Sequence, residues 1–196
     1  SSGLIKQVEL VVIGASSGGL DVLITLLQHL PRHYQIPTVA VLHQRPNRSS
    51  GVPEMLAKYT HMKVQEPEDK QGIEAGNFYV APPNYHLLID NDRVFSLSLD
   101  APLNFCRPSI DMAFESAAEV YGDKLVGCVL TGANSDGAEG VRYIKRYGGH
   151  VLVQDPAQAT VDSMPRAAIA AAEVDEIIKI EQIAERLSLF AEGHQA

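Results

Sequence analysis

The stretch that decides the fold is Val8-Glu9-Leu10-Val11-Val12-Ile13-Gly14-Ala15-Ser16-Ser17-Gly18-Gly19-Leu20. Residues 8–13 are apolar at nearly every position and rich in β-branched side chains. That pattern fits a strand covered on both faces, as in a parallel sheet. The glycine- and serine-rich turn that follows allows tight backbone geometry. Beyond it Leu20, Leu23, Ile24 and Leu27 recur at helical spacing until Pro31 stops the helix. Strand, glycine turn and helix in direct succession open an α/β unit, and its turn lies at the strand's C-terminal end. In an open α/β sheet that edge is where sites are built.

Outward from this unit, residues 38–42 read as a second strand running into His43, and a helix is expected from about residue 50 to 59. Residues 77–81, 87–90 and 93–97 are short and β-rich, with Asn91-Asp92 as a hairpin turn between the last two. Ser109 is placed to cap a helix carrying Ile110, Ala113, Phe114, Ala117 and Tyr121 on one face. A strand over 125–131 leads to a helix over 137–147, closed by Gly148-Gly149. A strand over 151–154, an Ala-rich helix opened by Pro165, a strand over 174–180 and a helix over 181–191 complete the chain. Strands and helices mostly alternate, so the expected fold is α/β: a three-layer, doubly wound, mostly parallel, Rossmann-like sheet. Residues 66–108 interrupt the alternation and read as a β-hairpin insertion. Residues 1–7 read as a linker or tag remnant, and residues 8–192 as a single domain.

The 196 residues suffice for one domain with a sizeable core. A net charge of -8 argues against nucleic acid and against an anionic membrane surface as partners. No apolar run is long enough to cross a bilayer. Two cysteines, Cys106 and Cys128, make no disulfide framework, which points to a reducing, cytoplasmic setting. Cys128, inside an apolar run, reads as a core residue.

Gly14, Ser16 and Gly18 fit the G-x-S-x-G spacing of a nucleophile elbow. A helix start behind such a turn offers free N–H groups, suited either to a phosphate or to an oxyanion beside a reactive serine. His43 ends the second strand, where a neutral imidazole could take the Ser16 proton. Asp136, in Thr131-Gly132-Ala133-Asn134-Ser135-Asp136-Gly137, could accept the Nδ1 proton of His43 and fix its tautomer. Asp155 competes for that role because it too follows a strand; spacing does not choose between them, but the glycines around Asp136 favour it, since they imply a backbone packed closely against something. His86, near Pro82-Pro83, is a candidate pocket residue. The order serine, histidine, acid differs from that of the α/β-hydrolases.

Gly-Ala-Ser-Ser-Gly also resembles the nucleotide loop of short-chain dehydrogenases, and Tyr59-Thr60-His61-Met62-Lys63 matches their Tyr-x-x-x-Lys signature. Against an NAD(P)-dependent oxidoreductase, Tyr59 follows the glycine loop too soon, and the second strand ends in His43-Gln44-Arg45 rather than in a ribose-binding acid. Arg45 would still suit a 2′-phosphate. A non-catalytic binding module on the same fold is the other alternative.

With the three motifs together, the chain resembles the catalytic domain of the chemotaxis protein-glutamate methylesterases (CheB). That family pairs a Gly-Ala-Ser-[Ser/Thr]-Gly-Gly loop with a strand ending in His and a later Thr-Gly-Met-Gly-x-Asp-Gly. Further matches are residues 78–82 with His86-Leu87-Leu88, Arg107-Pro108-Ser109-Ile110-Asp111, and Met164-Pro165-Arg166. The resemblance implies a carboxylic ester hydrolase with Ser16 as nucleophile, His43 as general base, Asp136 as orienting acid, and oxyanion donors near Ser17 and at the Ala133 N–H. It implies hydrolysis of glutamate methyl esters on the cytoplasmic helices of chemoreceptors, releasing methanol, with deamidation of receptor glutamines as a second activity. It calls for no cofactor and no metal. Two departures stand out. Ala133-Asn134 replaces the family's Met-Gly, which keeps a backbone donor but loses the methionine's pocket wall. The receiver domain that usually precedes the family's catalytic domain is not expected here.

Overall fold

The computed structural model describes residues 7–44 and 51–193. Residues 1–6 of the linker expected over 1–7, the first residue of the helix expected from residue 50, and Arg45 lie outside the described residues. In chain order the elements are β1 (Leu10–Ala15), α1 (Gly19–His29), β2 (Thr38–Leu42), α2 (Val52–Ala57), β3 (Lys63–Gln65), β4 (Asn77–Val80), β5 (His86–Ile89) and β6 (Phe95–Ser98). There follow α3 (Ile110–Tyr121), β7 (Leu125–Val129), α4 (Ala138–Arg146), β8 (His150–Gln154), α5 (Ser163–Ala171), β9 (Glu176–Ile178) and α6 (Ile180–Ala191).

Seven strands form one sheet in the order β3-β4-β2-β1-β7-β8-β9, and every pairing in it is parallel. The alternation of side chains along β1 divides the core in two. Val11 and Ile13 face a layer containing Leu23 and Leu26 of α1, Leu56 of α2, and Ile183 and Leu187 of α6. Leu10 and Val12 face Ile110 and Phe114 of α3, Val141 and Ile144 of α4, and Met164 of α5. Burial on both faces explains why β1, β2 and β7 are continuous apolar runs. Among the described residues, no helix is long and apolar enough to cross a membrane.

The chain runs outward from β1 through β2 and β4, then returns to β7 on the other side of β1. The strand order therefore reverses beside β1, and a doubly wound sheet opens a crevice at that reversal. Three expectations need correction. First, the region 66–108 is not wholly an insertion. Its strand β4 joins the main sheet, with Thr38 beside Phe78 in β2 and Val64 beside Phe78 in β3. Only β5 and β6 form the antiparallel hairpin, tied to α3 where Ser116 Oγ accepts the Ile89 N–H at 3.0 Å. Second, β3 was not foreseen. It is three residues long at the sheet edge, and its Lys63 is exposed. Third, the strand expected over 125–131 ends at Val129, which leaves 130–137 as a loop.

Candidate active site

The turn after β1 holds Ser16 by backbone geometry. Its N–H donates to the Thr131 carbonyl at 3.0 Å, and its carbonyl accepts from Gly19 N–H at 2.7 Å. Gly18 adopts φ 80°, a left-handed conformation that a side chain resists, and it opens α1. The second wall is the loop after β7. A Cβ on Gly132 would lie 2.6 Å from Ser16 Oγ and 2.6 Å from Met164 Cε, so only glycine lets this backbone approach the serine. One residue on, the Ala133 N–H donates to Ser16 Oγ at 2.8 Å. Ser17 is exposed, and its carbonyl accepts from Thr131 Oγ1 at 2.9 Å.

His43 follows β2 directly, with its N–H on the Ala15 carbonyl at 3.1 Å. Its Nε2 lies 2.7 Å from Asp136 Oδ2. This differs from the Nδ1 contact expected from sequence. Nε2 faces a carboxylate, so it carries the proton and donates, and Nδ1 keeps its lone pair. Among the described residues no hydrogen bond joins His43 to Ser16. Nδ1 instead faces Asn134 Nδ2 at 3.3 Å.

Asp136 is buried, and α3 supplies most of its partners. Ile110 N–H donates to Oδ2 at 2.7 Å and Asp111 N–H to Oδ1 at 2.9 Å. Ser109 Oγ reaches Oδ1 at 3.5 Å while also accepting the Met112 N–H as helix cap. Burial favours the neutral acid, but the His43 hydrogen bond and the two backbone N–H groups outweigh it and hold this carboxyl below its ordinary range. A carboxylate at a helix N-terminus is where the helix dipole favours one. Asp111 is the reverse case. Burial raises it to about 6, the neighbouring Asp136 charge also raises it, and the Gly140 and Gly137 N–H groups only partly offset this. Its Oδ1 accepts from Gly137 at 2.9 Å and Gly140 at 2.8 Å, which ties the start of α4 to α3.

Of the two candidate carboxylates, Asp136, the one its flanking glycines favoured, meets His43. Asp155 caps its own turn, accepting the Ala157 N–H at 2.9 Å beyond β8. His86 is also displaced from its expected role. It is fully buried, Ser109 N–H donates to its Nδ1 at 3.1 Å, and its Nε2 donates to the Ala101 carbonyl at 3.0 Å. Both nitrogens are spent on backbone, so His86 braces the α3 start behind Asp136 and does not line the crevice. Lys63 opens β3, three strands from β1, and Tyr59 lies in the turn between α2 and β3.

Sequence reasoning missed Asn134, Cys106 and the α3 cradle around Asp136. The run Arg107-Pro108-Ser109-Ile110-Asp111 carried a signal for the cradle, because a capped helix start offers free N–H groups. Among the described residues, His43, Cys106 and Asp136 bring metal-ligand atoms within 4.8 Å of one another. Both Asp136 oxygens are already taken by N–H donors. Burial, with the Asp136 and Asp111 charges, pushes the Cys106 thiol up to about 11. The donor set is that of a protein hydrogen-bond network.

A parallel α/β sheet with a hydroxyl, a backbone N–H, an imidazole and a carboxylate gathered at its strand-order reversal has the form of a serine-hydrolase type of protein. Residues 11–187 match the model of the CheB methylesterase family, and this chain belongs to that family. A Leptospira interrogans relative is 49% identical over 177 residues, covering 90% of this chain and 92% of its own. The protein-glutamate methylesterase/protein-glutamine glutaminase of Trichodesmium erythraeum is 34% identical over 188 residues. That match takes in 94% of this chain and 53% of the longer relative. The crystal structure of the Thermotoga maritima CheB methylesterase catalytic domain superposes with a TM-score of 0.87 at 32% identity. It covers 93% of this chain and 98% of that domain.

Proposed function

We propose that this chain is a protein-glutamate methylesterase that acts through a Ser16–His43–Asp136 relay, with methylated chemoreceptor helices in the cytoplasm as substrate. The same reading takes residues 8–192 as one catalytic domain. A glutamyl methyl ester enters the crevice with its carbonyl oxygen at the Ala133 N–H, which Ser16 Oγ occupies in the free protein. Ser16 Oγ gives its proton to His43 Nδ1 and bonds to the ester carbon. The carbonyl π electrons move to oxygen, where the N–H stabilises the charge. As the tetrahedral carbon collapses, the methoxy oxygen takes the proton from Nδ1 and leaves as methanol. Water then attacks the Ser16 ester, loses a proton to Nδ1, and releases glutamate as Ser16 recovers its proton. With a glutamine side chain the same steps release ammonia.

Asp136 stays ionised throughout. It holds the ring in the Nε2–H tautomer and stabilises the imidazolium that forms at each transfer. The observation that carries the reading is the 2.7 Å His43–Asp136 bond standing beside a serine already seated on a backbone N–H. Ser16→Ala tests it. Methanol release from methylated receptor is expected to fall to background while circular dichroism and thermal midpoint stay unchanged. Release at the wild-type rate would refute it.

A further inference from the structure

Asn134 stands where the family pattern has glycine, and its side chain is fully engaged. Its Oδ1 accepts the Asp136 N–H at 3.0 Å, which fixes the orientation of the amide. Its Nδ2 therefore presents hydrogens outward, one toward His43 Nδ1 at 3.3 Å and one toward Cys106 Sγ at 3.8 Å. The Asp136 contact puts the ring proton on Nε2, so Nδ1 is an acceptor and the Asn134 amide is a matched donor. Nδ1 is also the nitrogen that must receive the Ser16 proton, since Nε2 is held by Asp136.

We propose that Asn134 is a positioning residue that caps the basic nitrogen of His43 in the substrate-free protein and must yield it to Ser16 before ester cleavage. The idea rests on the esterase reading above for its kinetic consequence, but not for the contact itself. Once Nδ1 has taken the serine proton, two N–H groups face each other across the same gap, and the amide has to swing away. Asn134 thus donates to Nδ1 only while that nitrogen is an acceptor and has no bond to offer it once the serine proton has arrived. It is a brake set by one hydrogen bond, and a family member with glycine at this place has no side chain to provide it.

The test uses the whole chain with 15N-labelled histidine, imidazole NMR, and steady-state hydrolysis of a small activated ester. Asn134→Ser keeps an oxygen for the Asp136 N–H, because serine makes the same local turn, but has no amide to reach Nδ1. Its Nδ1 resonance is expected to move toward that of a free acceptor nitrogen while the Nε2–H signal persists. Its kcat/KM should rise about threefold to tenfold, the worth of one net hydrogen bond. An unchanged Nδ1 resonance in Asn134→Ser, or a lowered kcat/KM, overturns the proposal. A wild-type chain that hydrolyses no ester refutes the esterase reading instead, and the Nδ1 signal alone then decides for or against the contact.

Discussion

Asp136 and Asp155 stand at the same edge of the same sheet, each in the segment that follows a strand. Asp136 lies in the loop after β7, against the strand-order reversal, with α3 aimed at it and His43 across from it. Asp155 lies one strand further out, after β8. There its carboxylate serves the next turn of its own chain, beside Gln158, Lys179 and Glu181 in an open hollow. The local sequence of both is that of an aspartate in a polar turn. What differs is the number of distant segments that converge on each. Asp136 is met by the segment after β2 and the start of α3, both remote in sequence. A carboxylate becomes a candidate for chemistry through that convergence rather than through its own neighbours.

The largest expected effect that sharpens the contrast is Asp136→Asn. The change removes the charge that stabilises the imidazolium and favours the wrong tautomer, and kcat should fall on the order of 10⁴-fold, as in other triads. A loss below about tenfold, measured by methanol release, would leave Asp136 a mere helix-terminal anion. Next in size is Gly132→Ala. Its methyl group would have to displace Ser16 Oγ or Met164. Hydrolysis should drop on the order of 10²-fold, the cost expected for a misplaced reacting group. Thermal unfolding should also shift downward, as overpacking does.

A pH series separates Asp136 from its neighbour Asp111. Asp136 is held below its ordinary value of 3.8, so its stabilising contribution is present above that pH and is lost as pH falls further. Asp111 is raised to about 6, so its contribution is full below about 3.8 and is lost as pH rises through about 6. Asp111→Asn keeps the oxygen that accepts from Gly137 and Gly140 but cannot ionise. It should raise the thermal midpoint by a few degrees relative to wild type at pH 7 and leave it nearly unchanged at pH 4. An equal gain at both values would contradict the assignment. The smallest effect belongs to Asp155→Asn, which should change the hydrolysis rate by less than about twofold, as expected for a surface turn residue. A large loss there would reverse the comparison.

Much of this is legible in the sequence. Continuous apolar runs gave β1, β2 and β7 because strands covered on both faces leave few polar positions. The Ser16 turn and His43 were legible for a related reason: each is the first polar residue with reactive chemistry after such a run. The β4 strand reads as a strand within a region expected to be an insertion, but its place in the main sheet is not legible. Its register with β2 pairs residues forty apart, as in Thr38 with Phe78, and no local pattern encodes that. The β3 strand is too short and too exposed to show a period. His86 was misjudged because a buried histidine with two backbone partners has the same local sequence as one lining a pocket. The choice of Nε2 over Nδ1 depends on ring orientation, and the α3 cradle around Asp136, which its flanking glycines only hinted at, depends on which loop α3 meets. Both are tertiary facts.

The central claim is that Ser16 is a nucleophile driven by the His43–Asp136 pair. Covalent labelling with a fluorophosphonate, read by peptide mass spectrometry, tests it most directly. The account predicts a single adduct on Ser16, forming far more slowly in Asp136→Asn and at the wild-type rate in Asp155→Asn. Labelling at Ser17 or Cys106 in its place, or labelling of Ser16 indifferent to Asp136, would contradict it.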